Sequence, residues 1–175
     1  NLIGADQLRL LPRDGFLINP SRGGVVDEAS LIRHVRANSE FRYAADVWAG
    51  EPLVSAKAIG SAWLATPHIA GYSVQAKRSA TTMLLASLAE FDEMDTKTEL
   101  AARLRAVLNN EQDVGVLPSG GRGGGWEAIA SLFDVRSLDS QFRSALARGL
   151  SAEAFDALRQ PLKARSEFGS AASTL

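Results

Sequence analysis

The sequence predicts an α/β protein built on a parallel sheet, and three observations carry that prediction. FLIN (16–19) is a continuous apolar run of strand length, the pattern of a strand buried on both faces of a parallel sheet. YAADVW (43–48) and WLATPH (63–68) are further short runs, the first reached through a segment of helical spacing, as in βαβ units. Each run ends in a polar or Gly/Pro turn, and each turn carries one side chain able to do chemistry: Arg22, Glu51 or His68. Ligands of open α/β sheets gather at the carboxyl ends of the strands.

Taken in order, Leu2, Ile3, Leu8 and Leu11 predict a short helix closing near Pro12 and Gly15. FLIN follows, and PSRGG turns the chain. Over 25–38 the spacing of Ala29, Ile32 and Val35 predicts a helix, with Asp27 placed as its N-cap. YAADVW is the second strand and AGEP its exit turn; a short link over 55–61 leads to WLATPH. IAGY turns again into a long helix from about Ser73 to Phe91. The charged cluster Asp92 to Glu99 is the candidate boundary, dividing 1–92 from 93–175. Beyond it, Leu100, Leu104, Val107 and Leu108 mark an amphipathic helix leading to the apolar run VGVL (114–117). Further helices are expected over 128–133, 138–146 and 152–159, with Ser151 capping the last and Pro161 breaking it. The small, polar end EFGSAASTL is expected to fray.

Composition narrows the function. A chain of 175 residues, 46% hydrophobic and 22% charged, can bury a sizeable core. A net charge of -1 supplies no electrostatic reason for nucleic acid or an anionic membrane as partner. The absence of cysteine excludes disulfides and thiolate nucleophiles, and it fits a cytoplasmic protein. With only two histidines, no metal site is expected. No apolar run approaches the roughly 20 residues that span a bilayer. NLIGADQLRL lacks the basic and apolar regions of a signal peptide; with no initiator Met and a start in mid-pattern, it reads as a piece of a longer protein. A serine hydrolase would need a G-x-S-x-G elbow, which the chain lacks. SGGRGGGW (119–126) misses the dinucleotide fingerprint because Trp126 stands where the last glycine belongs. So many glycines suit a loose loop better than a tight phosphate cradle.

The turns are more informative. Arg22, between Ser21 and Gly23, offers a permanently charged fork suited to a carboxylate, though a surface turn arginine has the same local pattern. His68 ends an apolar strand behind Pro67, where an imidazole either accepts and returns an alcohol proton or merely caps the strand end. His34 lies among charged residues on a helix and reads as a solvated-face residue. Glu51, before Pro52, is an ordinary turn carboxylate or the partner that orients the histidine ring. Asp46 is costly inside an apolar run unless something requires it. It either makes a local backbone contact or accepts a hydrogen bond from a ligand amide.

LINPSRGGVVDEASL, AADVWAGEP and TPHIAG, in that order, resemble the C-terminal half of the cofactor domain of D-isomer-specific 2-hydroxyacid dehydrogenases. HIAGYSVQAKRSATTML, with Tyr72 directly after Gly71, is most similar to the branch of that family acting on 4-phospho-D-erythronate in pyridoxal 5'-phosphate synthesis. FDVRSLDSQFRSAL and FDALRQPLKARSEF resemble that branch's extra C-terminal dimerisation domain. The resemblance implies the C-terminal half of a Rossmann-like NAD-binding domain over 1–92 and a small α/β homodimerisation domain over 93–175. It implies hydride transfer from a phosphorylated 2-hydroxy acid to NAD, with His68 as acid/base, Glu51 as its partner and Arg22 on the substrate carboxylate. Pro20, Ser21, Arg22, Asp46 and Gly71 would line the cofactor, with Asp46 on the nicotinamide amide, and Tyr72 would reach the phosphate end of the substrate. Other members of the family, such as the phosphoglycerate type, and a non-catalytic dimerisation or regulatory module are the rival expectations.

The family's G-x-G-x-x-G turn does not occur among these residues. Without it a sheet lacks the pyrophosphate site at a helix N-terminus. The isolated 175-residue chain is therefore expected to show no saturable micromolar quenching of NADH fluorescence and no turnover.

Overall fold

The run FLIN forms β1 (Phe16–Asn19), and the next two runs supply β2 (Arg42–Ala45) and β3 (Leu64–Ala65). The computed structural model describes residues 1–91 and 133–165. The strands pair in parallel in the order β1-β2-β3, with Phe16 opposite Arg42, Asn19 opposite Ala45, and Ala45 opposite Ala65. The helices are α1 (Ala5–Leu8), α2 (Glu28–Ala37), α3 (Ala56–Ser61), α4 (Val74–Phe91), α5 (Val135–Ala147) and α6 (Ala152–Arg159). Single 3-10 turns cover Gly23–Val25 and Gln160–Ala164. No described helix is long and apolar enough to cross a membrane.

Local signals act as their chemistry dictates. Asp27 caps α2 by accepting the Ser30 amide at 2.7 Å, and Ser151 caps α6 by accepting that of Ala154 at 3.1 Å. Two readings need correction. β1 is not buried on both faces, because Phe16 and Ile18 are 52% and 62% exposed. Among the described residues that face is covered only at its margin, where Trp63 meets the Phe16 ring edge-on at 5.4 Å. His34 is not a solvated-face residue either. It is half-buried, its ring stands edge-on to Phe41 at 4.6 Å, and its Nε2 is buried without a hydrogen-bond partner. The buried face of α2 is centred on Leu31, with Ile32 and Val35 beside it and Ala29 in solvent.

By its contacts the chain divides into two units, Asn1–Ala70 with Asp134–Leu162 and Gly71–Phe133 with Lys163–Leu175. Helices α5 and α6 thus pack with the sheet of the first unit. Their Phe142 and Phe155 join Leu8, Leu31, Trp48 and Ile59 in its core. Two polar residues of α5 also satisfy backbone groups that the short third strand and the end of α3 leave over. Asp139 accepts the Ala65 amide at 2.7 Å, and Arg143 donates to the carbonyls of Ile59 and Ala62, each at 2.9 Å. In the second unit Ser73 accepts the Ala76 amide at the start of α4, and the Val74 amide donates to the Arg165 carbonyl. The expected boundary at 92–99, the helix around 100–108, VGVL, the glycine cluster, the helix over 128–133 as far as residue 132, and the end from 166 lie outside the described residues.

Candidate active site

Parallel strands share one direction, so the segments leaving β1, β2 and β3 emerge at one edge of the sheet. That alone brings the turns of Arg22, Glu51 and His68 to the same end, the place where such sheets bind ligands. Asn19, buried at the end of β1, shapes the first turn. Its Oδ1 accepts from the amide and hydroxyl of Ser21, and its Nδ2 donates to the Arg22 carbonyl at 3.1 Å. Behind it, burial pushes the Tyr43 phenol up to about 12. Pro20, Ser21 and Arg22 are exposed at the turn's outer rim. The Arg22 guanidinium donates to the Ser21 carbonyl at 2.6 Å and is not joined to Glu51 or His68.

The first and second turns are fastened together by two contacts. Gly23 lies directly against the backbone of Trp48 and Ala49. Glu28, at the start of α2, accepts the Ala49 amide at 2.6 Å. Burial holds the Glu28 carboxyl above the usual range; the Ala49 amide opposes that shift, and the nearby charges of Asp27 and Glu51 add to it.

Glu51 and His68 meet. One Glu51 oxygen accepts the Trp48 amide at 2.7 Å, and the other faces His68 Nδ1 at 2.6 Å. The side chains are 22% and 24% exposed, so the pair is shielded but reachable. With Glu51 ionised, Nδ1 carries the proton in that bond, and Nε2 is the nitrogen left to exchange one with a ligand. His68 adopts the left-handed region at φ 54. That conformation costs a non-glycine residue on the order of 1 kcal/mol or more and persists only where surrounding contacts impose it. Here the Arg159 Nε donates to the His68 carbonyl at 3.1 Å, and the next two amides are tied down by Asp46.

Asp46 has a heavier local duty than its sequence position indicates. One oxygen accepts from the Thr66 hydroxyl at 2.6 Å and the Ile69 amide at 2.8 Å; the other accepts the Ala70 amide at 2.8 Å. A carboxylate has about four lone-pair sites, so these three hydrogen bonds do not exhaust its acceptor capacity. Gly71, at φ 77, and Tyr72, whose ring has the Lys77 ammonium 5.1 Å from its centroid, belong to the second unit.

Sequence reasoning missed Glu28, Asp139, Arg143 and Arg159. The i,i+4 spacing of Asp139 and Arg143 marks an ion pair, here at 3.0 Å, but nothing in it names the backbone groups the pair serves. The i,i+3 spacing of Asp156 and Arg159 likewise marks an ion pair, here at 3.5 Å, and says nothing of the His68 carbonyl.

The family model for the D-isomer specific 2-hydroxyacid dehydrogenase, NAD binding domain, matches residues 1–70. Among curated relatives, the erythronate-4-phosphate dehydrogenase of Psychrobacter sp. (strain PRwf-1) is 31% identical over 96% of this chain and 46% of its own length. That of Pseudomonas putida (strain GB-1) is 34% identical over 95% of this chain and 44% of its own. That of Edwardsiella ictaluri (strain 93-146) is 42% identical over 52% of this chain and 24% of its own. The chain thus spans less than half the length of these relatives. Residues 1–70, which carry the parallel sheet and the His68–Glu51 pair, match the NAD-binding domain of the D-isomer specific 2-hydroxyacid dehydrogenases, and the similarity to the first two of these relatives runs over nearly the whole chain.

Proposed function

We propose that the full-length protein is an NAD-dependent dehydrogenase that oxidises 4-phospho-D-erythronate to its 2-oxo acid, a step toward pyridoxal 5'-phosphate. The observation that carries this reading is the Glu51–His68 pair, with Nδ1 engaged at 2.6 Å and Nε2 left for substrate. His68 Nε2 takes the proton of the C2 hydroxyl as the C–H bond breaks, and Glu51 holds the ring and balances the charge it gains. Arg22 turns its fork from the Ser21 carbonyl to the substrate carboxylate. The remaining lone pair of Asp46 accepts the nicotinamide amide, Pro20, Ser21 and Gly71 line the cofactor, and Tyr72 serves the phosphate end of the substrate. NAD, when bound, supplies the hydride acceptor.

The substrate reading is supported by the names of the relatives cited above, which match across nearly the whole chain. A division at residue 92, homodimerisation through 93–175 and a cytoplasmic location belong to the same proposal.

The test is NADH formation by the full-length protein with 4-phospho-D-erythronate, phosphoglycerate and unphosphorylated 2-hydroxy acids. The first is expected to show the highest kcat/KM, by about tenfold or more, because a site built to pair a polar group rejects analogues that leave its own groups unpaired. Preference for phosphoglycerate would reassign the substrate within the family. No turnover of any 2-hydroxy acid would favour a non-catalytic module.

A further inference from the structure

We propose that Arg159, at the end of α6, is a positioning residue for His68; the proposal rests on the functional reading above. The left-handed backbone of His68 is held on three sides. Glu51 holds its ring, Asp46 holds the two amides that follow it, and Arg159 Nε holds its carbonyl at 3.1 Å. Losing the third hold lets the peptide after His68 rotate, and ring position rotates with it.

Arg159 is itself fixed, which a positioning residue must be. Its side chain is only 19% exposed and pairs with Asp156 at 3.5 Å. Its guanidinium lies 5.5 Å from the centroid of the buried Phe155 ring. Phe155 stands edge-on to Phe142 at 5.7 Å, and Phe142 meets Trp48 at 6.0 Å. The Trp48 amide in turn holds Glu51, so the contacts run from His68 through Arg159, three aromatic rings and Glu51 back to His68. Both members of the pair are referred to one aromatic stack, and α5 and α6 therefore set their separation. A purely structural Arg159 would tie α6 to the core without affecting the chemistry.

The experiment uses the full-length enzyme with 4-phospho-D-erythronate and NAD. Arg159→Met keeps the stem over Phe155 and deletes the donor. It is expected to lower kcat about tenfold or more, with KM for NAD within about twofold of wild type, as for a group displaced by a fraction of an ångström. Arg159→Lys keeps a charge and a donor and is expected to recover part of the loss. Hydrogen exchange supplies a readout independent of turnover: the Ile69 and Ala70 amides, protected by Asp46, should exchange faster in R159M. Wild-type turnover or wild-type exchange in R159M overturns the proposal. Should R159M not fold, the same readouts on R159K decide it, with a smaller loss expected and wild-type values overturning it. Absence of turnover by the unmutated enzyme on this substrate strikes the functional reading instead, and the exchange rates alone then decide the role of Arg159.

Discussion

Replacing His68 by Asn in the full-length protein is expected to lower kcat by about three orders of magnitude while leaving NAD affinity within about twofold, the range seen when a general acid/base is removed. Asparagine is the informative choice. It tolerates the left-handed region better than most residues, so φ 54 need not change. Its amide can still donate to Glu51, so the carboxylate keeps a partner. What it cannot do is accept a proton from the substrate hydroxyl and return it in the reverse direction. Steady-state turnover measures the first effect, and NADH fluorescence titration of the same full-length variant measures the second. Turnover at the wild-type rate would remove His68 from the chemistry.

The second large effect is expected at Gly23, a residue that touches no substrate in the proposed reaction. A Cβ there would overlap the carbonyl of Trp48 and lie 2.6 Å from the Ala49 nitrogen. The backbone it strikes cannot easily retreat, because the Trp48 amide holds Glu51 and the Ala49 amide holds Glu28. Gly23→Ala is therefore expected to cost about 3 kcal/mol or more, the upper end of overpacking penalties, and to lower kcat as the Arg22 and Glu51 turns separate. Gly24→Ala is the control, since an added Cβ at Gly24 meets nothing within 4 Å. Urea unfolding of the two variants makes the comparison. Equal midpoints would show that the contact at Gly23 relaxes without consequence.

Much of the architecture was legible because it depends on short-range rules. Apolar runs bounded by turns predicted the three strands of the described residues, and the caps at Asp27 and Ser151 predicted where α2 and α6 begin. The pairing of Glu51 with His68 was also within reach, since parallel strands deliver successive turns to one edge. The errors share a cause. The pattern of FLIN reports an apolar strand but not which elements cover it, and so it overstated the burial of Phe16 and Ile18. His34 sits among charged neighbours in sequence, yet the helix turns its ring onto Phe41, which is adjacent only after folding.

Side-chain inventory and tertiary packing decided different things about the site. The sequence by itself determined the parallel α/β plan and which side chains the strand-end turns carry, because strand length, helix caps and turn chemistry act within a few residues. Only the tertiary structure decided how those groups are used. Asp46 is occupied by the amides after His68, Glu28 and Gly23 lock the two turns together, and Arg159 holds a histidine 91 positions earlier in the chain. The reason is physical: a hydrogen bond across such a separation depends on where α5 and α6 pack, and no local periodicity encodes that packing.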